Sequence, residues 1–136
     1  MSIEDDVQAS AAWIATALAS SGYRADFSPS SLRDVDRFFD EHTRKGKALR
    51  RGLLNEGLGQ RIFGLGSYVG EVIRRDFGGT WKGDDADPAA EVNITLVLDD
   101  GSVIWPVQRV MKRFKNGRED SLVVYASALG VGSAER

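Results

Sequence analysis

The segment from Gly52 to Phe77 constrains the fold most, because its apolar residues recur at helical intervals along the whole segment. If each residue turns the chain by about 100°, these side chains fall within an arc of roughly 100°. The apolar residues are Leu54, Leu58, Ile62, Leu65, Val69, Val72 and Ile73, and the charged residues largely opposite them are Glu56, Glu71, Arg74 and Arg75. The pattern predicts one long amphipathic helix that ends before Gly78-Gly79.

Glycines form a strip at the edge of this arc, spaced within about 40° of one another on the helix: they are Gly52, Gly59, Gly66 and Gly70. Each glycine lowers helix propensity by about 1 kcal/mol relative to alanine. We therefore expect the strip to let another helix, the sheet or a second subunit approach closely. A phosphate loop is the alternative, but GLGSYVGE lacks the G-x-G-x-x-G spacing and follows a helical pattern instead of a strand. A kinked or broken helix also stays open.

The N-terminal region predicts two further helices. Ser2 and Asp5 have the spacing of a capping box, and apolar residues repeat at helical intervals from there to about residue 20. Ser28 can cap a second helix, with Pro29 in its first turn. The basic stretch KGKALRRG then reads as a connection to the long helix.

The segment from about 91 to 105 predicts a β-hairpin. Apolar residues alternate with others from Val92 to Leu98, residues 99–102 form the turn, and residues 103–105 return as the second strand. The preceding loop, TWKGDDADPAA, has room for a short strand at Thr80-Trp81.

Two helices are predicted after the hairpin. One begins at Pro106 and ends at Asn116-Gly117. The other runs from about Leu122 to Leu129, where a short strand at Val123-Val124 is the alternative. The predicted fold is therefore α+β: N-terminal helices, a long glycine-striped helix, a small antiparallel sheet with its β-hairpin at about 91–105, and two C-terminal helices.

Composition narrows the class of protein. A chain of 136 residues predicts a single globular domain spanning 1–136. It has no cysteine, which excludes disulfides, thiolate metal sites and cysteine nucleophiles and fits a reducing compartment. Neither a signal peptide nor a membrane-spanning run is recognisable, so we expect a cytoplasmic protein without a membrane partner. The formal net charge of -2 argues against a dedicated nucleic-acid binder, which would usually be basic, although a local basic patch stays open.

A candidate ligand site lies on the long helix and the loop after it. Tyr68, Glu71 and Arg75 share one side of that helix, and Trp81 follows close behind. A carboxylate beside an arginine and a phenol can perform acid-base chemistry or bind a small molecule. The alternative is a hydrogen-bonded surface cluster packed against the Thr80-Trp81 loop. No catalytic residue is assigned on this basis.

A candidate partner-binding surface lies on the Pro106 helix. Five cationic residues are expected on its outer side and exit turn: Arg109, Lys112, Arg113, Lys115 and Arg118. They can serve as a solvated face, as a site for an acidic protein partner, or as contacts to nucleic acid or anionic lipid, whose binding would weaken with salt.

Neither a metal nor a cofactor is predicted. His42 is the only histidine and continues an apolar helix stripe, which favours a packed or capping role. Asp84, Asp85 and Asp87 cluster in one loop, but the loop lacks the glycine and the final acidic residue of an EF-hand. A solvated acidic turn is the simpler interpretation.

The stretches FGLGSYVGEVIRRDFGGTW and WPVQRVMKRFKNGREDSLVVY resemble small uncharacterised bacterial proteins of a domain-of-unknown-function type. The resemblance covers about half of the chain and includes no established catalytic signature. It implies a bacterial cytosolic α+β domain with a regulatory or immunity-type binding role, and it brings no active-site residues with it.

The leading functional hypothesis is a non-enzymatic protein-interaction or regulatory module, because the sequence contains a concentrated basic face and lacks a complete catalytic constellation. A small-molecule-binding protein or weak enzyme, and a nucleic-acid binder acting through residues 106–118, are the alternatives. The sequence leaves the partner, any ligand and the oligomeric state open, including a homodimer.

Overall fold

The computed structural model describes residues 2–50 and 52–132 and has the predicted α+β architecture. Its helices are α1 (Ile3–Ser20), α2 (Leu32–His42), α3 (Leu58–Phe77), the one-turn α4 (Ala90–Asn93), α5 (Pro106–Asn116) and α6 (Leu122–Leu129). Its strands are β1 (Thr43–Arg44), β2 (Lys47–Ala48), β3 (Gly79–Lys82), β4 (Thr95–Leu98) and β5 (Val103–Ile104). They form an antiparallel β1-β2 pair and an antiparallel sheet in the order β3-β4-β5.

Helix α3 is the centre of the fold. Every residue from 62 to 73 is buried, because α1 and α5 pack along it and the three-stranded sheet lies beside its C-terminal part. The predicted helix had one apolar arc and a polar side, whereas the observed helix is covered on all sides over these turns. Glu71, which was expected on the polar side, therefore lies in the interior, whereas the side chains of Arg74 and Arg75 in the last turn are 34% and 48% exposed.

Glycines in α3 allow three different neighbours to come close. A Cβ atom at Gly64 would lie 3.2 Å from Cβ of Ile14 in α1, and one at Gly66 would lie 2.6 Å from Cα of Val107 in α5. A Cβ atom at Gly70 would overlap the ring of Trp81 in β3. The prediction of close packing is thus correct for Gly66 and Gly70, and their neighbours belong to the same chain.

The predicted N-terminal boundary of the long helix, at about Gly52, was wrong. Helix α3 begins at Leu58, and residues 52–57 form a loop in which Gly57 has φ 61°. Gly52 therefore lies outside the helix, where it approaches the ring of His42, and Gly59 has no neighbour within 4 Å of an added Cβ. The helical spacing of Leu54 was misleading because this side chain is buried from within the loop.

The hairpin at 91–105 is shorter than predicted and has a third strand. Residues 90–93 form α4 instead of strand, and the buried Ile94 leads from it into β4. Strand β3 pairs with β4 along its whole length, with Trp81 opposite Leu96, which confirms and extends the short strand considered at Thr80-Trp81. Alternation in the sequence could not distinguish the exposed Val92 of α4 from a strand residue.

A second, unpredicted hairpin interrupts the basic connection after α2. Strands β1 and β2 pair Arg44 directly with Lys47, and the turn residues Lys45 and Gly46 have φ 52° and φ 76°. The turn packs on the end of α5 so closely that a Cβ atom at Gly46 would lie 2.7 Å from the carbonyl oxygen of Lys115. The hairpin and the end of α5 therefore form one surface.

Candidate functional site

Tyr68, predicted as a ligand-site residue, is buried and hydrogen-bonded within the protein. Its hydroxyl accepts a bond from the backbone N–H of Phe27 at 3.1 Å and lies 2.7 Å from Oγ of Ser31. Because the Ser31 hydroxyl donates to the carbonyl of Ser28, the Tyr68 hydroxyl donates to Ser31. Burial raises the pKa of Tyr68. The phenol therefore fixes the segment before α2 against α3.

Glu71 is also buried, and both oxygens of its carboxylate accept hydrogen bonds from side chains of the same chain. Arg74 donates two hydrogen bonds to it at 2.6 and 2.9 Å, and the indole N–H of Trp81 donates a third at 2.7 Å. Burial alone would raise the pKa of Glu71, but these hydrogen bonds outweigh it and lower that pKa. Arg75 lies 3.6 Å away and stacks over Phe27. The expectation of a surface cluster is corrected, since Tyr68 and Glu71 are both completely buried.

Arg113 contradicts the expected outer basic face. Its side chain is only 1% exposed, and its guanidinium bonds Asp36 at 2.8 Å and Asp40 at 2.7 Å, both on α2. The predicted position on the solvent side was wrong because the Arg113 side chain points toward α2, where it also lies over the ring of Phe39. Burial would raise the pKa of Asp40, but the bonds from Arg113 and Arg118 lower it.

Asp36 ties α6 into the same arrangement. Its carboxylate accepts hydrogen bonds from the backbone N–H groups of Leu122 and Val123, each at 3.0 Å, and from the hydroxyl of Ser121 at 2.9 Å. A carboxylate at a helix N-terminus satisfies amides that have no partner inside the helix. One side chain thus joins α2, α5 and α6.

The remaining cationic residues of the predicted cluster do not all point the same way. Arg109 pairs with Asp120 at 3.6 Å and lies over the ring of Tyr125, toward α6. Lys112 and Lys115 are exposed, and Arg118 extends toward α2, where its Nε atom is 3.2 Å from Asp40. The predicted residues therefore do not act as a single surface.

Lys115 and Arg118 border a cavity of about 300 Å³ between α5 and the β1-β2 hairpin. We call it the basic cavity, because five cationic side chains and one carboxylate line it: Arg44, Lys45, Arg113, Lys115, Arg118 and Asp40. Lys115 and Arg118 belong to the predicted partner-binding surface, whereas Arg44 and Lys45 of the hairpin were not predicted. The run of cations in KGKALRRG was the available signal.

A second concave surface, which we call the apolar groove, lies between α3, α4 and α5 and encloses about 310 Å³. Its lining residues are Leu58, Gly59, Ile62, Phe63, Glu91, Val92, Val107, Met111 and Phe114. Leu58 is 37% exposed, Val92 36% and Met111 41%, whereas Ile62 and Val107 form a buried floor. The groove was not predictable from the sequence, because its walls come from three separate stretches of chain.

The groove continues toward α1. An adjoining depression of about 350 Å³ is also lined by Phe63 and Glu91, and Trp13 of α1 forms its far wall. Trp13 is 49% exposed, which is unusual for so large an apolar side chain. Contiguous exposed apolar area of this kind marks interaction surfaces more often than isolated exposed residues do.

His42 is packed as predicted and anchors the loop before α3. The Leu53 N–H donates to its Nδ1 atom at 3.1 Å, so the ring proton is on Nε2, which lies 3.2 Å from the Tyr23 hydroxyl. Tyr23 in turn donates to Glu41 at 2.5 Å, and Arg37 bonds the same carboxylate at 3.3 Å. This chain of bonds requires a neutral imidazole, because a proton on Nδ1 would displace the Leu53 amide.

We expect stability to fall as pH drops below 6.5, the ordinary pKa of histidine. Burial lowers the pKa of His42 in the folded state, although Glu41 partly opposes this shift. The unfolded chain therefore takes up the proton first, so stability is fully present above 6.5 and declines toward the lowered pKa, by at most about 1.4 kcal/mol per pH unit. Urea unfolding between pH 7.5 and 5.5 measures this decline, with the midpoints taken at several intermediate values.

His42→Asn is the control for that experiment, because its side-chain oxygen can accept the Leu53 amide without titrating. Since the chain has no other histidine, the decline between neutral pH and the carboxylate range should disappear in this variant. An equal decline in both proteins would contradict the assignment to His42.

Neither comparison nor composition assigns a chemistry to these surfaces. The chain matches no protein-family model, no curated protein and no solved structure. In residues 2–50 and 52–132, no three acidic or histidine side chains are grouped so as to hold a metal ion. Over the same ranges, no helix has the length and apolar character needed to cross a bilayer. The basic cavity and the apolar groove are therefore the features of the molecule that bear on its function.

Proposed function

We propose that this chain is a non-enzymatic interaction module of the bacterial cytoplasm, which binds an amphipathic segment of another protein in the apolar groove. The observation that carries the proposal is the exposure of Leu58, Val92 and Met111 around a buried apolar floor. Grooves of this form bind one apolar face of a helix, with anchor residues three or four positions apart. The absence of cysteine fits a reducing cytoplasm.

Charge at the α5 side of the groove indicates the chemistry of the partner. Lys112 follows Met111 and Lys115 follows Phe114, and both lysines are exposed. No ion pair occupies either lysine within the part of the chain that the structure describes. A partner segment with apolar anchors and carboxylates on the edge facing α5 would complement this surface. Complementary charges of this kind favour encounter and orientation more than they add affinity.

The two alternatives have less support. The first alternative is a small-molecule site at Tyr68, Glu71, Arg75 and Trp81. A ligand there would have to replace the hydrogen bonds that the Glu71 carboxylate already accepts. A nucleic-acid surface on residues 106–118 loses Arg113, whose guanidinium is occupied by α2. The groove, in contrast, is open as it stands.

Gly59→Glu is expected to block the groove without unfolding the protein. An added Cβ at Gly59 meets nothing within 4 Å, and a carboxylate suits the first turn of α3. Peptides selected from a random phage-displayed library on the folded full chain should carry acidic residues beside apolar residues at helical spacing. Because the partner's apolar face would bury an unpaired carboxylate, the variant should bind a synthetic selected peptide at least about tenfold more weakly in fluorescence anisotropy.

Thr80→Glu is the matched control, since it adds the same charge at an exposed position of β3 outside the groove. This variant should bind the peptide as the wild type does, and both variants should unfold at similar temperatures. Equal binding by Gly59→Glu and the wild type would overturn the proposal. So would a concentration-dependent dimer, measured by light scattering and lost in Gly59→Glu, because a second copy would then occupy the groove.

A further inference from the structure

We propose that the basic cavity binds a phosphate group. The basic cavity adjoins the apolar groove at Phe114, but this inference does not depend on the function proposed for the groove, because a phosphate can bind without any partner segment. It starts from the lining of the cavity, which includes five cationic residues and one acidic residue. Arginine offers a planar fork to phosphate oxygens and lysine a compact charge, so the two together suit a dianion.

Three of these cations form no ion pair among the residues that the structure describes. Arg113 and Arg118 both bond Asp40, but Arg44, Lys45 and Lys115 form no ion pair with any residue in 2–50 or 52–132. Like charges that border one cavity repel each other, although water screens these exposed side chains. An anion in the cavity would remove that repulsion and gain charge-assisted hydrogen bonds.

The β1-β2 hairpin contains two features that lower its stability. Arg44 lies directly opposite Lys47, and like charges in that position destabilise a strand pair. Lys45 has φ 52°, a conformation that glycine and asparagine adopt far more readily than lysine. Local choices that disagree with the fold are expected at functional positions. Lys115 lies in the last turn of α5, where a cation is favoured by the negative end of the helix dipole. This effect does not explain why position 45 is a lysine.

The cavity is held in place by its surroundings. Gly46 packs against the carbonyl of Lys115 without room for a Cβ, and the Thr43 hydroxyl donates to the carbonyl of Phe39 at 2.6 Å. Arg113 is fixed by its two aspartates. Cations on fixed elements lose little freedom when an anion binds. The volume of about 300 Å³ lies at the small end of ligand pockets and is more than large enough for one phosphoryl group.

The phosphate could be free in solution or attached to a side chain of a partner. The cavity and the apolar groove both border Phe114, so a phosphorylated residue could lie next to a segment bound in the groove. That second source rests on the proposed function, whereas the first does not. Inorganic phosphate and N-acetylphosphoserine amide distinguish the two, because only the second carries a peptide group.

The test is a titration of the ¹⁵N-labelled full chain with each compound at fixed pH, followed by amide chemical shifts, with sodium chloride at matched ionic strength as the reference. Amides at 44–47 and 115–117 should shift and saturate. A Lys45→Asn and Lys115→Gln double variant removes two cations while keeping a residue that tolerates the left-handed turn. It should bind about tenfold more weakly or worse.

Lys82→Gln, an exposed change on β3, is the control and should bind as the wild type does. Saturable shifts with inorganic phosphate support a site for free phosphate, and tighter binding of the phosphoserine amide supports a phosphorylated partner. Shifts no larger than those with sodium chloride, or equal binding by the double variant, would overturn the proposal. Binding of a single-stranded oligonucleotide without any response to phosphate would also overturn it and would indicate a nucleic-acid surface.

Discussion

Arg113→Met is expected to lower the free energy of unfolding by about 3 kcal/mol. The change leaves Asp36 and Asp40 without the cation that both of them bond, while the methionine keeps most of the apolar volume. Breaking a buried ion pair from one side typically costs about 3 to 5 kcal/mol. We expect the lower end, because the aspartate side chains keep 15% and 30% exposure to water. Urea unfolding followed by circular dichroism measures the loss.

Lys112→Met is the control on the neighbouring residue of the same helix. Lys112 is exposed, so this change should alter stability by less than about 0.5 kcal/mol. Similar values for the two variants would contradict the structural role assigned to Arg113. The comparison also separates the buried cation from the surface cations with which sequence analysis had grouped it. Charge-reversal tests of partner binding on α5 should therefore leave Arg113 unchanged.

Gly66→Ala is expected to destabilise the protein by about 1 to 3 kcal/mol, although alanine is the better helix former. The added Cβ would lie 2.6 Å from Cα of Val107, and a backbone atom cannot move aside as the end of a side chain can. Helices α3 and α5 would have to separate. Equilibrium unfolding in urea, repeated on the wild type, measures the net effect of the two opposing terms.

Gly59→Ala tests the same substitution on the same helix where nothing lies within 4 Å of the added atom. Its stability should stay level or rise slightly, since only the propensity term remains. If both alanine variants were more stable than the wild type, contact with α5 would not be the reason for glycine at position 66. Opposite signs would show that packing, and not backbone freedom, requires it there.

Much of the helical structure was predictable because its signals are local. The capping box of Ser2 and Asp5 begins α1, and Pro106 begins α5. Gly130 ends α6 with φ 95°. The start of α3 was predicted wrongly because Leu54 continues the helical spacing while being buried from a loop. The spacing of apolar residues indicates that a side chain is buried, but it does not show whether that residue lies in a helix or in a loop.

The candidate sites were harder to predict, because their chemistry depends on contacts between distant stretches. Arg113 bonds Asp36, 77 residues earlier, so no window of sequence contains both. One local signal was available: Arg113 follows Val110 by three residues, which places it on the buried side of α5. The burial of Glu71 had no comparable signal in the sequence. One partner of its carboxylate is Arg74 on the same helix, and the other is Trp81 on β3.

The carboxylate of Asp36 also makes the first turn of α6 depend on the rest of the fold. It caps the amides of Leu122 and Val123, which lie 86 and 87 residues later in the sequence. Arg113 of α5 bonds the same carboxylate and holds it in place. Helix α6 has eight residues, so a peptide of α6 alone would be too short to form a stable helix in water and would also lack this cap.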